Sequence, residues 1–456
     1  MDSQKKDLIE KLRKGDISRR DFVQMAGILG ISIGAAGCSS AGKATRDPGI
    51  QDRLEGLTTV PTSPYQQFIP KESPTSITYP KVDTWVCIVC GERFHIKEDM
   101  QNHMLDYHAR LLPEITEVDE PTFNQFLEKP KRFDEKNTVF SRAAWDEKLK
   151  KRIGSVIPHV QNTDPKIMEG KALIAGAIQV DNKAGNFHDS YYGYFGHLQG
   201  SDGLFSWEEE VTPNRIPEKD PVKLTERIKE VAKFYGASLV GVTEVNPLWI
   251  YENYYEPFTG NSGPVELNYK YAIMMAIEMN WDMASKSPDP GGGAAAALGY
   301  SRMAEIASSL AKYIRMLGYE AIPSGNESGQ MIPMAVEAGL GEVGRMGLLL
   351  TPEFGPRQRL FKVFTNIPLV PDKPIDFGIQ SYCETCHICA QACPARAIPF
   401  EERSTKPTSI SNRTGIKRWT VNVEDCYIFW QENGGIACGN CVAACPWSLQ
   451  PRRNIY

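Results

Sequence analysis

The sequence predicts a layered α/β domain followed by a small, cysteine-dense domain that folds around metal. Three observations carry this. Apolar runs of strand length alternate with segments of helical spacing through the middle of the chain. Eight of the eleven cysteines lie after residue 380, and the other three are Cys38, Cys87 and Cys90. The 456 residues suffice for about three domains of roughly 150 residues each. An odd, clustered set of cysteines points to metal rather than disulfides. With 41% hydrophobic and 23% charged residues, disorder and a multi-span membrane protein are excluded. A net charge of −5 leaves no global basic field for nucleic acid. Five segments follow: 1–42, an export signal; 43–84, an irregular leader; 85–110, a finger-like insert; 111–370, the α/β domain; and 371–456, the cysteine-dense domain.

Residues 1–20 carry seven basic against four acidic side chains, a net of +3. Arg19-Arg20 precede Phe22, and a charge-free, Gly- and Ala-rich stretch runs from Phe22 to Gly42. Basic region, apolar core and small residues make an export signal, and the paired Arg marks the twin-arginine type. That route carries folded proteins, so it suits a passenger loaded with cofactors beforehand. Ala35-Ala36-Gly37-Cys38 is close to a lipoprotein cleavage box. One acyl anchor or a membrane partner would be needed to hold the mature chain at a membrane. The leader, 43–84, is rich in Pro, Ser, Thr and Gly.

Cys87, Cys90, His103 and His108 have the Cys-x2-Cys-x12-His-x4-His spacing of a tetrahedral zinc site. Trp85, Phe94 and Met100 would supply its small apolar core. Base reading would fall to Ile96, Asp99 and Asn102. Ile cannot hydrogen-bond a base edge and phosphate repels Asp, so the expected zinc is structural.

In the middle segment, Leu173–Val180, Ser238–Thr243 and Tyr271–Ile277 are expected strands, and Leu224–Tyr235 and Ala294–Leu317 expected helices. Gly291-Gly292-Gly293 before the long helix reads either as a flexible lead-in or as amides for an anionic or amide-rich ligand. It lacks dinucleotide and P-loop spacing. The Gly-dense stretch Glu337–Gly347 offers a backbone that a large flat ligand can approach closely.

Cys383, Cys386, Cys389 and Cys393-Pro394 form the bacterial ferredoxin run for a [4Fe–4S] cluster. Cys438, Cys441 and Cys445-Pro446 repeat it, with Cys426 upstream in place of the usual first ligand. In paired motifs the fourth Cys serves the other cluster. Cys383, Cys386, Cys389 and Cys445 therefore hold one cluster, and Cys393, Cys426, Cys438 and Cys441 the other. Two clusters form a wire, so the α/β domain must hold the electron acceptor. His387, between ligands, is expected to be a surface or supporting residue. His197 lacks the Asp of a cobalt-binding Asp-x-His-x-x-Gly motif, since Phe195 stands there.

The twin-arginine signal, the α/β region with Gly344-Arg345-Met346-Gly347 and Thr351–Arg359, and the two-cluster tail together resemble the corrinoid- and iron–sulfur-dependent reductive dehalogenases. The resemblance covers roughly residues 17–42 and 110–456, and the zinc-finger-like insert is no part of it. It implies a nitroreductase-like domain, α/β or α+β, around a base-off corrinoid, then a ferredoxin-like two-[4Fe–4S] domain. It implies reductive removal of halide from an organohalide at the outer face of the cytoplasmic membrane, with a membrane anchor protein and an electron-donating complex as partners. In the family a pocket Tyr gives the proton while an amide and an Arg stabilise its phenolate. Tyr300, Asn326 and Arg359 match those roles, with Arg357 and Arg345 in reserve. The alternatives are a reductase of the epoxyqueuosine type, acting on a tRNA base in the cytosol, and a ferredoxin-type electron-transfer subunit.

Overall fold

The computed structural model describes residues 114–156, 165–184, 203–217, 219–257 and 259–448, and ahead of them 85–86, 93–94, 99 and 103. The export signal, the leader, Cys38, Cys87, Cys90, His108 and His197 lie outside the described residues. Trp85–Val86 pairs antiparallel with Arg93–Phe94.

After two helices at Val139–Trp145 and Glu147–Val156, the helices α1 (Pro165–Ala177) and α2 (Gln179–Ala184) lead to α3 (Pro221–Phe234). Asp220 caps α3 by accepting from the Val222 and Lys223 amides, and Pro221 opens its first turn. Leu224, Ile228 and Ala232 recur every four residues and are buried. A four-stranded sheet follows, built from β1 (Leu239–Glu244), β2 (Tyr271–Glu278), β3 (Ala321–Ser324) and β4 (Gln358–Thr365). Its order is β1-β2-β4-β3 and every neighbouring pair is antiparallel. The domain is therefore α+β, without parallel βαβ crossovers.

Strand β2 is central. Ala272, Ile273, Met274, Met275 and Ala276 are all 0% exposed, so both faces are covered. Each large side chain buried there contributes about 1.5–3 kcal/mol. The helices α4 (Pro290–Met316) and α5 (Met331–Glu337) both pack on the sheet.

Two sequence expectations need correction. Leu173–Val180 is helical, its residues divided between α1 and α2. Its apolar run has few β-branched residues and is flanked by helix formers, and so short a run does not separate strand from helix by period. Leu173 and Val180 are each 44% exposed, while the helix packs against α4. Gly291–Gly293 is not a loop either: α4 begins at Pro290 and contains all three. A Cβ on Gly293 would sit 3.2 Å from Ile174 Cδ1, so this glycine serves close helix packing.

The tail has four short helices, α6 (Ile379–Thr385), α7 (Ile388–Gln391), α8 (Val423–Glu432) and α9 (Asn440–Ala444). Its interior gathers Phe377, Trp419 and Trp447 around Cys383, Cys389, Cys393 and Cys445. Arg142 at 2.5 Å and Arg152 at 3.0 Å pair with Glu424 at the start of α8. No described helix is long and apolar enough to cross a membrane.

Candidate active site

Strand β4 and helix α4 bring Arg359 and Tyr300 together. Arg359 lies on β4, and its guanidinium stacks 4.1 Å from the centre of the Tyr300 ring on α4. A Cβ on Gly299 would meet Arg359 Cγ at 2.5 Å, so only glycine at that position lets the arginine cross the helix. Asn326, in the turn after β3, donates its amide to the Tyr300 hydroxyl at 3.2 Å. All three side chains line one cavity of about 820 Å³. A phenolate left by proton transfer would meet a cation and an amide donor, which stabilise it.

The turn holding Asn326 is clamped from below. Lys362 is fully buried and donates to the carbonyls of Gly325 at 2.6 Å and Glu327 at 2.8 Å. The Glu327 carboxylate accepts from the Gly325 amide at 2.6 Å. Glu135 lines the cavity beside Tyr251. Burial, then repulsion from Glu327 and Asp134, pushes its carboxyl up to about 8, against the opposing Tyr255 N–H and Lys362. Burial likewise raises the Tyr251 hydroxyl. Sequence reading passed over both residues, because neither sits in a motif.

The cavity is cationic. Arg359, Arg403, Arg413, Lys417 and Arg418 line it, and Glu135 is the one acidic side chain among its described lining residues. Arg413 stacks 4.7 Å from the Trp249 ring and donates to Gln330 at 2.8 Å. Burial and neighbouring Arg418 hold its guanidinium down at about 10. Four buried polar atoms of lining residues have no hydrogen-bond partner: Gln358 Oε1, Arg359 Nε, Arg413 Nε and Trp430 Nε1. Buried polar atoms are normally satisfied, so these mark where a polar ligand would bond.

The reserve arginines lie elsewhere. Arg357 is buried and paired with Glu278 at 2.6 Å. Arg345 is 1% exposed and turned into the Cys383–Cys386 loop, donating to the Cys383 carbonyl at 3.0 Å. Of the Gly-dense stretch, Gly344 and Gly347 line the cavity. Gly341 instead packs on the chain itself, where a Cβ would meet the Leu350 carbonyl oxygen at 2.0 Å. Trp249 lines the cavity, whereas Tyr254 and Tyr255 do not.

Cys393, Cys426, Cys438 and Cys441 also line the cavity. None of the eight tail cysteines forms a disulfide. Their mutual influence falls into two groups. Cys389 feels Cys445, Cys383 and Cys386, and Cys426 feels Cys393 and Cys438. Burial first, then those neighbours, pushes the Cys426 thiol up to about 12. Cys441 feels both Cys389 and Cys426, so the groups adjoin. Among the described residues no three ligand-type side chains converge on a single ion. A cubane instead holds its thiolates at separate corners, farther apart than the ligands of one ion. His387 Nε2 bonds the Phe400 carbonyl at 3.1 Å, and the His387 ring stacks on Phe400.

Residues 382–449 match the 4Fe–4S dicluster domain family. Over 307 residues the chain is 38% identical to a tetrachloroethene reductive dehalogenase of Sulfurospirillum multivorans, covering 61% of each chain. The chain is thus similar to the reductive dehalogenases over much of its length. A second relative, a tetrachloroethene reductive dehalogenase of Desulfitobacterium hafniense, is 43% identical over 183 residues, 39% of this chain and 33% of that one. Among solved structures, the catabolic reductive dehalogenase NpRdhA in complex with 3-bromo-4-hydroxybenzoic acid superposes with a TM-score of 0.55 at 28% identity. That match covers 76% of this chain and 46% of the other. The chain spans 61% of the Sulfurospirillum family member and less than half of the other two. The chain itself has mixed α/β content and a match to the 4Fe–4S dicluster domain.

Proposed function

We propose that this chain is a corrinoid-dependent reductive dehalogenase that replaces halogen by hydrogen, R–X + 2e⁻ + H⁺ → R–H + X⁻. One observation carries the reading. The Tyr300 hydroxyl, with Asn326 at 3.2 Å and Arg359 stacked on its ring at 4.1 Å, shares a cavity with four cysteines of the dicluster domain. An electron-transfer subunit has no use for such a group. Tyr300 would give the proton, and the cation and amide beside it would stabilise the phenolate left behind. Arg359 and Asn326 would hold the phenolate and draw the departing halide.

The cationic lining and the four unsatisfied polar atoms fit a corrinoid, which carries peripheral amides and a nucleotide phosphate. Arg413, Gln358 and Trp430 would hold it. When bound, the corrinoid supplies a low-potential cobalt that delivers electrons to the carbon–halogen bond. Cys383, Cys386, Cys389 and Cys445 would hold one [4Fe–4S] cluster and Cys393, Cys426, Cys438 and Cys441 the second, which borders the cavity. The relatives' names suggest small chlorinated alkenes as substrates. The eleven aromatic side chains lining the cavity make a dry site for an apolar halide, among them Phe123, Trp249, Tyr251 and Trp430.

Four further expectations belong to this reading. The α+β part has the nitroreductase-like fold. Cys87, Cys90, His103 and His108 hold a structural zinc, supported by the antiparallel pairing of Trp85–Val86 with Arg93–Phe94. Residues 1–42 direct export by the twin-arginine route to the outer face of the cytoplasmic membrane. A membrane anchor protein and an electron-donating complex meet the chain there. The test is a screen of corrinoid-loaded protein against chlorinated ethenes, ethanes and aromatics with a low-potential dye as donor. Halide release with dye oxidation is expected. Loaded protein that releases no halide from any class would sink the reading.

A further inference from the structure

Arg345 left the substrate site unexplained and has another role open to it. It is 1% exposed, in the turn between α5 and β4. Its Nε donates to the carbonyls of Cys383 at 3.0 Å and Cys386 at 3.1 Å. Its Nη1 reaches Pro399 and Glu401, each at 3.0 Å, and its Nη2 the Glu384 carbonyl at 3.2 Å. The guanidinium thus spans the whole first cysteine loop, and Trp419 covers it at 4.7 Å. Among the described residues no carboxylate contacts it. Carbonyl dipoles solvate a cation but do not neutralise it, and a buried cation without a counter-charge is costly.

The missing counter-charge is at hand. A cubane held by four thiolates is negative in both oxidation states, and more so by one charge when reduced. Net charge and nearby dipoles set such potentials. The second cysteine group differs. The thiols of Cys426 and Cys438 feel other thiols, the Asn440 amide and the Ser287 hydroxyl, and no guanidinium. Among the described residues, a guanidinium is hydrogen-bonded into the loop of the first cysteine group, and none is among the influences on Cys426 or Cys438.

We propose that Arg345 is the counter-cation of the cluster on Cys383, Cys386, Cys389 and Cys445, and that it holds that cluster's reduction potential above the value its ligands alone would give. The added electron, from a one-electron donor such as titanium(III), makes the cluster more negative, so the cation favours the reduced state. The inference rests on the two-cluster assignment and not on dehalogenation. Arg345 acts here through charge, as a positioning and tuning residue, and touches no substrate.

An electron paramagnetic resonance redox titration of the full-length holoprotein tests it, with iron counted per chain. Arg345→Gln is expected to lower the reduction constant of one cluster about tenfold, which is about 59 mV for a one-electron couple. The other cluster should stay in place. Arg345→Lys keeps the charge and should stay near wild type. Glu384→Gln supplies a variant that does not disturb the buried loop, since that carboxylate is 57% exposed and pairs with Arg403, which also stacks on Trp419. Freed of that partner, Arg403 should move the same cluster to higher potential. Both clusters unmoved in Arg345→Gln, or both moved equally, would overturn the proposal. So would a Glu384→Gln variant whose potential fails to rise, whether or not Arg345→Gln assembles its clusters. Wild-type protein without iron–sulfur signals would sink the two-cluster assignment, and the proposal with it.

Discussion

Strand β2 and the interior on the buried side of helix α6 hold different chemistry. Around β2 the interior is Ile273, Met274, Met275, Phe361 and Phe364, all 0% exposed and all hydrocarbon or thioether. Around α6 it is Cys383, Cys389, Cys393 and Cys445 among Phe377, Trp419 and Trp447. The first interior is complete as a polypeptide. The second places several thiols against one another, and burial with that crowding raises Cys383 and Cys426 to about 12. Iron would replace those protons and supply the positive charge that makes four close thiolates tolerable. The α+β part should thus keep its shape without metal and the tail should not. The two interiors meet at one cavity, whose lining includes both Tyr300 and Cys438.

The comparison can be broken in three places. The largest effect is expected from Cys389→Ser. It should remove one whole cluster, about four of the expected eight irons per chain, and open the tail to protease while the sheet's far-ultraviolet circular dichroism persists. A variant with full iron would refute the ligand assignment. Met274→Ala should act the other way. A buried Met in a covered strand costs about 2–5 kcal/mol when cut to Ala. Iron per folded chain should not change. Iron falling in step with denaturant midpoint would mean the two interiors are one cooperative unit. The smallest effect is the pH slope of Glu135. Its folded value, about 8, lies above the ordinary 4.5, so the native state holds the proton longer than the unfolded chain. Its contribution is full below pH 4.5 and is lost as pH rises toward 8. Glu135→Gln should flatten that decline, read as urea midpoints at the two ends of the range. An unchanged slope would place the protonated carboxyl elsewhere.

The tail was legible in the sequence because its ligands are local. The spacing Cys383, Cys386, Cys389 is itself the motif. Strand β2 was legible for a similar reason, being an unbroken apolar run. Strand β4 was not. It carries Arg359 and Lys362 inside the fold, and charged residues disguise a buried strand until their partners, Tyr300 and the Gly325 carbonyl, are in view. The Leu173 run misled because α1 packs on α4 through small residues, a tertiary fact with no period of its own. Tyr300, read alone, is a tyrosine on a helix. Family resemblance singled it out, and the fold brings it against Asn326 and Arg359 from elements 26 and 59 residues away. The cationic lining, Arg403, Arg413 and Arg418, had no motif and emerges only where the tail and the α+β part line one cavity.

The central claim is that Tyr300 gives the proton inside a site fed by the clusters. Steady-state halide release by Tyr300→Phe tests it most directly, with iron and cobalt per chain measured on the same sample. Metal content equal to wild type and turnover lower by on the order of 10²–10⁴-fold is the expected result. Equal metal content with wild-type turnover would contradict it, and the proton would have to come from another group.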